Sequence, residues 1–139
     1  MRNCLLAIVV LALLCSSGLA QPSLKTLNRD SPGRRFELED YLRGDRLNVI
    51  VFSSRHSSAC REMMKKLSTL ASQNAELNVS LIDIDRPGSQ SIDWRSPLVR
   101  QFNLRTLPYI QVYQGRELEY EGHPARKWLL KRWDEAVSE

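Results

Sequence analysis

The stretch from residue 48 to residue 71 constrains the fold more than any other part of the chain. Its first part, Val49–Phe52, is a continuous apolar run rich in β-branched residues, which is typical of a strand buried on both faces. After two good N-cap residues, Ser57 and Ser58, apolar residues recur at helical spacing. Cys60 therefore falls in the first turn of the predicted helix, where free amide N–H groups and the helix dipole favour a thiolate. Any chemistry of this chain is expected here.

The first twenty residues have the pattern of a secretory signal peptide. Arg2 gives a positive start, residues 4–14 an apolar core, and residues 18–20 a small-residue cleavage site. Because the apolar core is too short to span a bilayer, we expect an exported protein, periplasmic or secreted, with no integral membrane span in the mature chain. Leu14 precedes Cys15 where a lipoprotein leader would have a small residue, which argues against lipidation.

Charge and cysteine content narrow the function of the exported chain. The leader removes one of the 20 basic residues and none of the 16 acidic ones. The remaining positive excess is small and scattered, so the sequence does not support a nucleic-acid partner. Cys4 and Cys15 leave with the leader, so Cys60 has no partner for an internal disulfide. A lone thiol in an oxidising compartment is either buried and inert or reactive towards another molecule.

The predicted elements follow the order β-α-β-α-β-β-α. Residues 21–35 are polar and contain proline and glycine, which predicts a flexible N-terminal arm before a domain over residues 36–139. The strands are predicted at 48–52, 79–85, 109–113 and 116–120, and the helices at 58–72, 96–102 and from 124 onwards. Strands joined by helices predict parallel pairs, and the late hairpin predicts an antiparallel pair. We therefore predict a monomeric α/β domain with a central mixed sheet of four to five strands flanked by helices.

Three features together resemble the thioredoxin family. The strand, loop and helix around Ser57 and Cys60 stand where that family has its Cys-x-x-Cys motif. Residues 104–108, Leu-Arg-Thr-Leu-Pro, resemble its cis-proline loop, and the order of elements matches over about residues 36–133. The resemblance implies a thioredoxin fold in which Pro108 is cis and lies against the start of the helix that carries Cys60.

The resemblance also implies how a substrate binds. In the family, backbone before the cis-proline pairs with an extended substrate segment, which is a form of strand addition. Thr106, Leu107 and Pro108 would form that edge here, with His56 beside the motif. The implied partners are protein or peptide thiols, or extended segments of exported proteins.

Departures from the family pattern change the expected chemistry. Ser57 stands in place of the first cysteine, and a serine hydroxyl with no adjacent base is a poor nucleophile towards sulfur. Val51 stands where the family often has a buried acid, and His56 where it usually has tryptophan. Ordinary two-thiol cycling is therefore excluded. If the site is catalytic, Cys60 is the reacting thiol and Ser57 its hydroxyl neighbour.

Several interpretations of the site stay open at this stage. An inert, buried Cys60 would leave a non-catalytic peptide-binding module. A monothiol or peroxiredoxin-like peroxidase is suggested because Ser-x-x-Cys resembles the Thr/Ser-x-x-Cys of peroxiredoxins, with Arg55 or Arg61 supplying positive charge. A soft-metal site could use His56, Cys60 and His123. We predict no cofactor and no resident metal, and we expect a role in envelope thiol-disulfide homeostasis or protein binding.

Overall fold

A computed structural model describes residues 24–138, so the predicted signal peptide lies outside the described residues. The elements in chain order are β1 (Lys25–Thr26), a short 3₁₀ helix (Leu38–Tyr41), β2 (Leu47–Ser53), α1 (Ser58–Gln73), β3 (Leu77–Asp83), α2 (Pro97–Gln101), β4 (Tyr109–Gln114), β5 (Glu117–Glu121) and α3 (His123–Val137). Every predicted strand and helix is present, with bounds within two residues of the prediction. No helix in the described part is long and apolar enough to cross a membrane.

The five strands form one mixed sheet in the order β1-β3-β2-β4-β5. β3 pairs in parallel with both β1 and β2, whereas β4 is antiparallel to both β2 and β5. This arrangement confirms the predicted mixed sheet with its parallel pair and its late hairpin. Because β2 lies at the centre of the sheet, its carboxyl end and the loop that follows are held by neighbours on both sides.

Each face of the sheet packs against its own hydrophobic core. Val49 and Val51 of β2 belong to the core under α1 and α3, whereas Ile50 and Phe52 belong to the core on the opposite face. The alternation follows from the pleat of a strand, which directs successive side chains to opposite faces. All four side chains are at most 1% exposed, so β2 is buried on both faces as predicted.

The predicted flexible arm is wrong for residues 24–35. β1 pairs with β3, and the Asn28 side chain donates to Asp83 O at 2.7 Å and accepts from Asp83 N at 2.9 Å. Gly33 has φ +73°, and a Cβ at that position would lie 2.7 Å from Arg86 N. Glycine is needed there because two chain segments approach closely, so it does not mark flexibility.

Candidate functional site

The two loops with the predicted site residues meet at one end of the sheet, which we call the site end. Ser53 at the carboxyl end of β2 pairs with Asp83 of β3, and the loop after Ser53 leads into α1. On the other side of β2, Phe52 pairs with Tyr109, the first residue of β4. The Leu107–Pro108 peptide bond directly before Tyr109 is cis. The register therefore places Pro108 beside the strand end from which α1 starts.

Ser57 is the N-cap residue of α1. Its backbone is extended (φ −99°, ψ 118°), and its Oγ accepts a hydrogen bond from Cys60 N at 3.2 Å. Its amide donates to Ser54 O at 3.1 Å, and its carbonyl accepts from Arg61 N at 3.2 Å. Ser58, the other candidate cap, is exposed. The Ser57 hydroxyl thus satisfies one of the free amides at the start of the helix.

Cys60 lies in the first turn of α1 and is only 1% exposed. It is a free thiol and the one cysteine among the residues that the structure describes. A thiol buried in this way behaves as a small apolar group with a weak S–H donor. A large substrate reaches Sγ only if the start of the helix opens.

His56 connects the β2–α1 loop to the long connection between β3 and α2. Its Nε2 lies 2.9 Å from Ser89 O and 3.3 Å from Arg55 Nε, and the tautomer of the ring decides which of these two bonds it makes. Arg55 Nη2 lies 3.5 Å from the same carbonyl oxygen, and Arg61 Nη1 donates to Arg55 O at 2.9 Å. Both guanidinium groups are thus bound to backbone carbonyls, which does not favour their predicted action on the Cys60 thiol.

A buried carboxylate beneath this loop was missed by the sequence analysis. Asp85 is 1% exposed; its Oδ2 accepts from Ser54 Oγ at 2.7 Å and its Oδ1 from Asp93 N at 2.9 Å. Ser54 Oγ in turn accepts from His56 N at 3.1 Å, so Asp85 holds the loop before α1 in place. The available signal was the Asp-Ile-Asp sequence at the end of an apolar strand, since polar groups at the carboxyl ends of parallel strands often line sites.

Asp83 is the second carboxyl group at the site end. Burial raises the pKa of Asp83 above its ordinary value, and repulsion from Asp85 acts in the same direction. The Asp85 amide opposes this shift by donating to Asp83 Oδ1 at 2.9 Å. Acidic groups are therefore present at and just after the end of β3, although Val51 on the neighbouring β2 is apolar.

The edge that precedes β4 has free backbone and a neutral tyrosine beside it. Thr106 is exposed, Leu107 half-buried and Pro108 buried, and regular pairing with β2 begins only at Tyr109. The Tyr109 hydroxyl donates to Glu121 Oε2 at 3.0 Å, and burial, together with this bond, raises the pKa of Tyr109 to about 12. The arrangement leaves a short extended segment available for pairing with another chain.

Comparison with known proteins identifies the fold. No family profile matches the chain. It is 23% identical over 104 residues to a protein of Oryza sativa subsp. japonica named "Thioredoxin-like 2, chloroplastic", and the match covers 73% of this chain and 44% of that relative. The chain therefore spans less than half the length of this curated relative.

Among solved structures, thioredoxin f2 of Chlamydomonas reinhardtii matches with a TM-score of 0.56 and 17% identity, covering 78% of this chain and 93% of that one. Thioredoxin from Trypanosoma brucei brucei matches with a TM-score of 0.55 and 12% identity, covering 88% and 97%. The chain has the thioredoxin fold.

The chain has the predicted α/β thioredoxin fold, a mixed sheet with helices on both faces. Its site differs from the pattern described above by a serine at the first motif position. Ser57 binds the start of α1 through its hydroxyl, and the remaining thiol of Cys60 is buried behind it. The arrangement can therefore hold an extended segment beside Pro108, but the described chain has no pair of thiols to exchange.

The three residues of the soft-metal alternative do not come together in the described part of the chain. Within residues 24–138, no three His, Cys, Asp or Glu side chains come together in a way that could hold a metal ion. His56, Cys60 and His123 therefore do not form a ligand set. His56 Nε2 lies 2.9 Å from Ser89 O instead, and Cys60 is buried in the first turn of α1.

Proposed function

We propose that this chain is an exported thioredoxin-fold protein whose degenerate site binds extended segments of other exported proteins without exchanging disulfides. It would act in the envelope as a binding component of thiol-disulfide homeostasis. The proposal combines the thioredoxin-like fold with a site that retains the shape for binding and lacks the second thiol. The export signal and the compartment rest on the sequence of the first twenty residues.

The environment of Ser57 and Cys60 is the observation that carries this proposal. The Ser57 hydroxyl accepts from Cys60 N. Arg55 bonds to the His56 ring and to Ser89 O, and Arg61 donates to Arg55 O, so both guanidinium groups have partners other than the Cys60 thiol. Cys60 is 1% exposed. Thiol exchange requires an accessible thiolate, and a burial of this degree opposes access to the sulfur.

The segment before Pro108 supports the binding half of the proposal. Thr106 is exposed and Leu107 half-buried, so their backbone can pair with an extended chain while the Leu107 side chain contributes apolar contact. Main-chain pairing of this type gives affinity without demanding one particular sequence. This fits a protein that recognises unfolded or extended segments rather than a single small molecule.

An insulin-reduction assay tests the absence of dithiol chemistry. The exported chain is expected to give no turnover with dithiothreitol as the reductant, whereas the Ser57→Cys variant restores two thiols at the motif spacing and is expected to reduce insulin. Turnover by the unchanged chain would contradict the proposal. Dimedone labelling of Cys60 soon after addition of hydrogen peroxide would instead support the peroxiredoxin-like interpretation.

Binding is tested separately by NMR. The probe is the carboxymethylated insulin B chain, which is extended and has no free thiol. Amide shifts are expected at Thr106, Leu107 and Tyr109 and in the loop with His56, and the Cys60→Ser variant is expected to show the same shifts. Shifts confined to other surfaces, or binding that is lost in Cys60→Ser, would refute the proposed binding mode.

A further inference from the structure

A groove along the outer side of α3 is lined by more positive than negative side chains. Two rows of residues, each at a spacing of four, line this α3 groove: His123, Lys127 and Lys131 form one row, and Arg126, Leu130 and Asp134 the other. Residues four apart lie next to each other on a helix, so the positive side chains of one row are neighbours. A single carboxylate faces three lysine or arginine side chains.

The cations of the α3 groove have no partner within the fold. In the part of the chain that the structure describes, one ion pair is present, Arg86 Nε to Asp93 Oδ2 at 2.7 Å, far from α3 in sequence. Other cations nearby are engaged differently: Arg132 lies over the Trp128 ring at 4.3 Å, and Lys66 over the Trp133 ring at 5.8 Å. Adjacent like charges destabilise a helix, so this row lowers the stability of α3 unless an anion binds.

Leu130 gives the α3 groove an apolar floor. It is half-buried and packs against the core under α1 and α3, and part of its side chain lines the groove. Lys127 and Lys131 beside it are exposed, as is Arg126. A ligand that matches this surface has carboxylates on its sides and one apolar side chain between them.

The sheet topology places the α3 groove near the candidate site. β4 runs from Tyr109 at the site end to Gln114, and β5 returns to Glu121, which pairs with Gln111. α3 starts directly after β5, at His123, so the helix begins at the end of the sheet where Pro108 lies. The His123 end of the groove thus lies at the same end of the sheet as the segment before Pro108.

We propose that the α3 groove binds an acidic segment of a partner protein, with glutamate or aspartate side chains against Arg126, Lys127 and Lys131 and an apolar residue over Leu130. Charge-assisted hydrogen bonds to carboxylates are stronger than neutral ones, and the row of unpartnered cations supplies the donors. The surface is less suited to an anionic membrane, which needs several exposed apolar residues on the same helix face, whereas Leu130 is the one apolar residue that lines this groove.

The test uses a fluorescein-labelled peptide of glutamate and leucine, measured by fluorescence polarisation with the full exported chain. The Lys127→Glu/Lys131→Glu variant is expected to weaken binding roughly tenfold or more, because truncating or reversing charges at a complementary surface removes attraction and adds repulsion. The matched control is Arg34→Glu/Arg35→Glu, which changes the net charge equally at exposed positions away from α3. This control is expected to weaken binding by less than about twofold.

Several results would overturn the proposal. Equal weakening by the two double variants would show that only net charge matters. Binding to vesicles that contain phosphatidylglycerol, without binding to the peptide, would identify a membrane as the ligand. Self-association of the chain in analytical ultracentrifugation that is lost in Lys127→Glu/Lys131→Glu would identify a second copy. If that variant does not fold, Lys127→Gln/Lys131→Gln replaces it.

The Cys60→Ser and Ser57→Cys variants are expected to bind the acidic peptide as the unchanged chain does. Failure of acidic-peptide binding is therefore distinguishable from failure of the proposed function.

Discussion

Replacement of Ser57 by alanine is expected to destabilise the protein by about 1–2 kcal/mol. Loss of an N-cap serine typically costs about 1 kcal/mol within a range of about 0.5–2. The structure places Ser57 in the upper half of that range, because the residue is 8% exposed and water cannot easily replace its hydroxyl at Cys60 N. A buried donor left without an acceptor loses the free energy of its desolvation as well.

Urea unfolding followed by circular dichroism measures this effect. The matched control is Ser58→Ala, since Ser58 is exposed and follows the cap, and its free energy of unfolding is expected to change by less than about 0.5 kcal/mol. Ser57→Thr keeps a capping hydroxyl and is expected to retain most of the stability. The slope of the free energy against urea should stay the same in all three variants, because the fold is unchanged.

Equal effects of Ser57→Ala and Ser58→Ala would refute the reasoning. That result would mean that the hydrogen bond between Ser57 Oγ and Cys60 N contributes nothing to stability, and the position of Ser57 would then need a chemical explanation. A loss confined to Ser57→Ala, with peptide binding before Pro108 unchanged, would show that the hydroxyl acts on the helix and not on a substrate.

Three further predictions concern buried or half-buried groups. Cys60 is 1% exposed, so iodoacetamide should label it slowly in the native protein and quickly in urea, and fast native labelling would contradict the interpretation of Cys60 as an inert thiol. Asn48 is fully buried and donates to Gly115 O at 2.8 Å, so Asn48→Leu should lower the free energy of unfolding by about 2–4 kcal/mol in urea titrations. The raised pKa of Asp83 means that the folded state holds this proton more tightly than the unfolded state. The stability should therefore fall as pH rises through the interval between the ordinary value of 3.8 and the raised value. Asp83→Asn should stabilise the protein at neutral pH but not at about pH 3, and an equal effect at both pH values would show that titration is not the cause.

The sheet and helices could be predicted because each carries its own local pattern. β2 is a continuous apolar run, and α1 has apolar residues at helical spacing after a capping serine, so neither depends on distant residues for its identity. β1 could not be predicted in this way. It consists of two residues, Lys25 and Thr26, and is held by pairing with β3 and by the Asn28 side chain on Asp83, which lies 55 residues away.

Part of the candidate site could also be predicted, because that part depends on a local sequence pattern. The position of Cys60 in the first turn of α1 follows from the local pattern, and so does the presence of a cap. The choice of Ser57 over Ser58 depends on the loop before α1, where Ser57 N donates to Ser54 O. The support of Ser54 by Asp85 joins residues 31 positions apart. No local periodicity reports such a bond, although the Asp-Ile-Asp sequence at a strand end was a visible signal.

The serine at the first motif position can be understood from the requirements of the helix. The first turn of α1 needs an acceptor for the Cys60 amide, and the site is too buried for water to serve. Serine supplies that acceptor but no thiol, so the helix start retains its geometry while disulfide exchange is lost. The extended segment before Pro108 depends on β4 and the cis peptide, not on Ser57. Binding and thiol chemistry are therefore physically separable in this fold, and restoring the thiol in Ser57→Cys should add exchange without changing which segments bind.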